Sequence, residues 1–126
     1  MFQLHGWVII SKLSITERED ILKKVNDKIE ILNLEPKVIN LNIYNNTPCL
    51  SITLFQNRYT PIVEKLLELV QMIGEIAKNS YGIIQIYDDE SENSPNEFVN
   101  YFIQKGEVIK KKDSFLSPVV PTLYVE

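Results

Sequence analysis

Along the chain the spacing of apolar residues switches repeatedly between two and about 3.6 residues. Residues 2 to 11 alternate, with Phe2, Leu4, Val8 and Ile10 on one side and Gln3, His5, Trp7 and Ile9 on the other, which predicts a strand. Gly6 interrupts the first side, where a missing side chain lets another element approach closely. Thr16 with Glu19 then reads as a capping box, and Ile21, Leu22, Val25, Ile29 and Leu32 form a helical stripe that Pro36 brings to an end. Period two returns at Val38 to Tyr44, where Ile39, Leu41 and Ile43 oppose Asn40, Asn42 and Tyr44. Asn45-Asn46-Thr47-Pro48 reads as a turn, and Leu50, Ile52 and Leu54 against Ser51, Thr53 and Phe55 complete a hairpin.

Thr60-Pro61 opens a second helix, its hydroxyl placed to cap and its proline at the first helical position. Ile62, Val63, Leu66, Leu67, Leu69, Val70, Ile73, Ile76 and Ala77 make a broader stripe than the first, which predicts deeper burial, and Gly74 inside it points to close packing. Tyr81 to Tyr87 is a further strand with Ile84 and Ile86 on one face. An acidic loop, residues 88 to 95, precedes a strand from Glu97 to Gln104, a Lys105-Gly106 turn and a short strand from Glu107 to Lys110. The remaining tail contains Pro118 and Pro121. It reads as an extended segment laid over the sheet, because Phe115, Leu116, Val119 and Val120 need cover.

This order predicts an α+β protein: a ferredoxin-like βαββαβ core, an antiparallel sheet with two helices on one face, extended by a C-terminal strand pair. At 126 residues, one domain spanning 1–126 is expected.

Composition mostly removes possibilities. A net charge of -4 argues against a nucleic-acid backbone binder, which ordinarily carries a basic stripe. One histidine and one cysteine exclude a disulfide within the chain and any metal site built from several imidazoles. The four glycines are too scattered for a phosphate loop, so no cofactor is expected. MFQLHGWVII has no secretory pattern and no window is apolar enough to span a bilayer, so a cytoplasmic protein without a membrane partner is expected.

If the helices cover the Leu4, Val8, Ile52 face, the opposite face carries His5, Trp7, Asn40, Asn42, Tyr44, Thr53, Phe55, Gln85 and Tyr87. Aromatic and polar groups interleaved with few lysines suit a protein-contact patch; burial of part of this face under the C-terminal strands and tail is the competing reading. His5 has neither a nucleophile pattern nor a second imidazole beside it, which favours a structural or interface role over catalysis. Cys49 reads as a small hydrophobe. The run Asp88, Asp89, Glu90, Glu92 lacks the glycine and flanking helices of a calcium loop, leaving a solvated loop or a negative patch for a basic partner. Lys110, Lys111 and Lys112 read as guards of a sheet edge.

Four strings, taken in order and spacing, resemble the Immunity protein 7 family of bacterial polymorphic-toxin systems. They are Phe2-x-x-His5-Gly6-Trp7, then Ser80-Tyr81-Gly82 running into Asp88-Asp89-Glu90, then Asn96-Glu97-Phe98, and finally Asp113-Ser114-Phe115-Leu116-Ser117-Pro118 with Pro121-Thr122. The resemblance implies a non-enzymatic antidote whose partner is the C-terminal domain of a cognate toxin. His5, Gly6, Trp7, Tyr81, Gly82, Pro118 and Pro121 are the family-like positions. On that reading Trp7, Tyr44 and Tyr87 are the expected aromatic anchors, and Asp88, Asp89, Glu90 and Glu92 steer the encounter. An RNA-binding module using the same open face is the alternative.

Overall fold

The structure, a computed structural model, describes residues 1–11, 14–93 and 95–117. Its elements run β1 (Phe2–Ile9), α1 (Ile15–Leu32), β2 (Ile39–Tyr44), β3 (Thr47–Gln56), α2 (Ile62–Ile76), β4 (Tyr81–Asp88), β5 (Phe98–Gln104) and β6 (Glu107–Lys112). The strands form one antiparallel sheet in the order β2-β3-β1-β4-β5-β6. The first four strands thus lie as two interleaved β-α-β units, and β5–β6 extend the sheet beyond β4.

Both helices cover one face. Phe2, Leu4 and Val8 of β1, Leu50, Ile52 and Leu54 of β3, Ile84 of β4 and Ile103 of β5 join Ile21 and Val25 of α1 and Val63, Leu66, Val70 and Ile73 of α2 in one buried cluster. The broader apolar stripe of α2 is also the more buried one, six residues against two. Gly74 of α2 faces Gly106 in the β5–β6 turn, but an added Cβ would meet its nearest neighbours at 3.8 Å, ordinary contact, so close packing does not require a glycine there.

Local chemistry differs from the sequence reading in a few places. The capping box is Ser14 with Glu17, not Thr16 with Glu19: the Ser14 hydroxyl accepts from the Glu17 amide at 3.2 Å and donates to its carboxylate at 3.1 Å. Thr60 does not cap α2: the residue at the helix start is Pro61, one before the first helical position, no side chain caps the helix, and the Thr60 hydroxyl donates to Gln56 Oε1 at 2.9 Å. The β2–β3 turn is only Asn45 and Asn46, both at positive φ, so Thr47 and Pro48 belong to β3. Pro48 is tolerated there because its pairing with Ile43 asks no N–H of it, while its carbonyl accepts from the Ile10 amide at 3.0 Å. The last strand runs two residues past Lys110, and it forms the sheet edge on which Lys110, Lys111 and Lys112 sit. Phe115 is 93% exposed and Leu116 is exposed too, so the cover expected for them is not there; Pro118, Val119, Val120 and Pro121 lie outside the described residues.

Candidate functional site

Because side chains alternate across a strand, every second residue of the sheet is left on the face away from the helices. In β1 these are Gln3, His5, Trp7 and Ile9; in β4, Tyr81, Ile83, Gln85 and Tyr87, which register places directly across from them. Trp7 is 43% exposed and Tyr81 49%, and their rings meet edge to face with centroids 6.2 Å apart. Beside them Ile83, Phe102 and Ile109 floor a shallow depression of about 600 Å³, with Lys111 at its rim. β5 and β6 complete this apolar feature of the open face by extending the sheet sideways without covering Trp7. By sequence Tyr81 is only a family-like position, and no motif marks Phe102 or Ile109. Period-two alternation groups Phe102 with Phe98 and Asn100, but only the β4–β5–β6 register brings Phe102 and Ile109 beside Ile83.

Two glycines hold this arrangement. Gly82 lies opposite Val8, and a Cβ there would overlap the Trp7 carbonyl oxygen and stand 2.8 Å from Val8 Cα. Gly6 lies opposite Ile84, where a Cβ would sit 2.5 Å from the Ile83 carbonyl oxygen. The strings around His5-Gly6-Trp7 and Ser80-Tyr81-Gly82 therefore meet across the β1–β4 ladder. The other two strings also meet: the Asp113 amide donates to the Phe98 carbonyl and the Phe98 amide to Ser117 Oγ, both at 2.9 Å, while Asp113 turns its carboxylate back to the Phe115 amide. Gly6, Gly82 and Asp113 accordingly have structural work in this chain.

The remaining expected residues are dispersed. His5 is half-buried, edge to face with Phe55 at 5.0 Å and with Nε2 3.2 Å from Gln3 Oε1. Tyr44, 59% exposed, stands at the tip of the β2–β3 hairpin, toward the same end of the sheet as Tyr81. Tyr87 is only 8% exposed and packs on Phe98 with centroids 5.5 Å apart, so it does not share the exposure expected for this face.

The acids occupy the opposite end. Asp88 pairs with Phe2, five residues along the strand from Trp7, or about 17 Å. Asp88 Oδ1 accepts from the Glu90 amide at 3.0 Å; Asp89 pairs with the Met1 amine at 2.6 Å, and Glu90 stands 4.0 Å from Arg58 Nε. Glu92 is exposed. Among the described residues no cluster of three or more His, Cys, Asp or Glu is placed to hold a metal ion, and no helix is long and apolar enough to cross a membrane.

A sequence model of the family described as Immunity protein 7 matches residues 1–124. No curated protein matches the chain. Among solved structures, one titled a phage SAM lyase in the apo state is similar over 90% of this chain and 90% of its own, at 13% identity and a TM-score of 0.39. That likeness is too remote to bear on fold or activity.

Proposed function

The chain belongs to the Immunity protein 7 family, whose members are immunity proteins against toxins, and from that membership we propose a mechanism for this one. The whole chain acts as one unit in the cytoplasm of the producing cell. It binds the C-terminal domain of its cognate toxin in a stoichiometric complex, and the toxin is silenced because its active site or substrate groove is covered, without any catalytic step by the antidote.

The observation that supports this reading is the Trp7–Tyr81 pair beside an apolar depression. Aromatic anchors at the centre of a patch supply large contact area at low entropy cost, and losing one typically costs about 2 kcal/mol or more of affinity. Trp7 and Tyr81 are the primary anchors of the proposal and Tyr44 a peripheral one. Tyr87 supports the sheet beneath a partner. Asp88, Asp89, Glu90 and Glu92 act at range. Their field extends about a Debye length, 8–10 Å, beyond the loop and raises the encounter rate with a basic partner surface. Use of the open face for single-stranded RNA has less support, since the net charge is -4.

The test is co-expression with the C-terminal toxin domain encoded upstream. The two should co-purify at one to one and the toxin should lose activity on mixing. Reversing the charges of Asp88, Asp89, Glu90 and Glu92 should slow association at low salt by about tenfold and leave dissociation almost unchanged. A chain that leaves the neighbouring toxin fully active refutes the proposal.

A further inference from the structure

The two edges of the sheet are unlike. β6 closes one side with Lys110, Lys111 and Lys112, charges that discourage a further strand from adding there. β2 closes the other side with no charge, no proline and an unbroken register against β3. The whole run 38–57 lacks a charged side chain, the longest such run in a chain of net charge -4. Lys37, which precedes the run, lies 3.1 Å from Glu35, and Arg18, which reaches its turn, donates to Asn46 Oδ1 at 3.0 Å. Among the described residues no strand pairs with the outer edge of β2.

Backbone groups alternate in direction along an antiparallel pair. The Thr53 amide donates to the Val38 carbonyl at 2.8 Å, so the hairpin register turns the backbone groups of Asn40, Asn42 and Tyr44 toward β3. Those of Ile39, Leu41 and Ile43 point away from the sheet. The Ile39 amide is taken by the Glu35 carbonyl at 3.2 Å. The Ile39 carbonyl and both backbone groups of Leu41 and Ile43 are left for an incoming strand. On the helix side of this edge Ile39 is buried and Leu41 packs on the core, but Ile43 is 55% exposed.

The order Ile39-Asn40-Leu41-Asn42-Ile43 reads the same in both directions. An antiparallel strand of the same sequence, turned about a two-fold axis at Leu41, therefore matches it position by position. We propose that the occupant of this edge is a second copy of this chain, joined β2 to β2 so that the two sheets become one. Each Leu41 amide would donate to the Leu41 carbonyl of the other copy, and each Ile43 amide to the Ile39 carbonyl. Ile43 would be covered by Ile39 of the other copy, and Asn40 would face Asn42 on the open side. Two chains of the same net charge meet here without a like-charge contact between the strands, whereas a basic partner would find no acid to pair with. Trp7 lies two strands further in, so the pairing leaves it and Tyr81 uncovered and is compatible with a toxin complex. One strand pair is a small contact, so dissociation constants of about 10–100 µM are expected.

The test is sedimentation of the full chain from about 5 to about 500 µM, with amide hydrogen exchange at both ends of that range. A monomer–dimer equilibrium is expected, and the Leu41 and Ile43 amides should become protected as dimer forms, while the Lys110 amide at the guarded edge stays unchanged. Ile43→Lys puts a charge on each strand of the pair, and Ile43→Pro removes an outward amide that the monomer does not use; each should weaken the dimer at least about tenfold. Circular dichroism checks folding, and because Ile43 is exposed the lysine variant keeps the test decisive if the proline variant fails to fold. A chain that stays monomeric throughout the range overturns the proposal. So does a dimer that persists undiminished in folded Ile43→Lys, since the copies would then meet elsewhere. Protection of Leu41 and Ile43 only on adding the toxin domain also overturns it, and gives the edge to a strand of the toxin.

Discussion

The two faces of the sheet are built from the same strands yet respond to opposite demands. Val8 is fully buried under the helices while its neighbour Trp7 is 43% exposed, one residue step away. Because the side-chain period is two, a single strand can serve packing with one set of positions and recognition with the other. Stability and partner binding should therefore be separable by mutation at adjacent residues.

The largest expected effect breaks the platform on which both faces depend. Gly82→Ala would press a methyl group against the backbone of Trp7 and Val8, which cannot rotate away, and should cost about 3 kcal/mol by urea denaturation. Gly74→Ala is the contrast. Its nearest neighbours would be 3.8 Å away, ordinary contact, so this helix position should be neutral or slightly stabilised. Equal losses in the two variants would show that the β1–β4 approach is looser than described.

A second pair sharpens the difference within the open face itself. Tyr87→Ala should cost about 2 kcal/mol of stability, because its ring is buried against Phe98. Trp7→Ala should cost less than about 1 kcal/mol of stability but about 2 kcal/mol of toxin affinity, read by calorimetry on the one-to-one complex. The reverse pattern would move the recognition surface away from Trp7.

Much of this architecture was readable from periodicity. The stripes of α1 and α2 and the alternation in β1, β3 and β4 are driven by burial against one core, and such patterns survive folding unchanged. What the pattern does not resolve is competition between equivalent local signals. Ser14-x-x-Glu17 and Thr16-x-x-Glu19 are both capping boxes, and the chain uses the earlier one. Pro48 carries a turn propensity, but two asparagines at positive φ already complete the turn, so the proline falls where a strand tolerates it. The candidate site was legible in part. Trp7 follows from alternation, whereas burial of Tyr87 and assembly of the depression with Phe102 and Ile109 depend on long-range strand order.

The smallest expected effect concerns Tyr59, just before α2, and uses pH to compare its hydroxyl with the rest of the surface. The Tyr59 hydroxyl is raised above its ordinary pKa of 10.0, first by burial and then by its hydrogen bond to Glu64 and the Glu64 charge. A raised pKa means that the folded state holds the proton more tightly than the unfolded chain. The stabilisation is then fully present below the unfolded value, near pH 10, and is lost as pH climbs through the folded value. Urea midpoints measured between pH 8 and about pH 11 should therefore fall at the alkaline end, and Tyr59→Phe should flatten part of that fall. Glu64→Gln should reduce the slope less, because burial, the leading cause, remains. An unchanged slope in Tyr59→Phe would mean that the hydroxyl is as well solvated folded as unfolded, and that its contacts with Phe2 and Glu64 do not shield it from water.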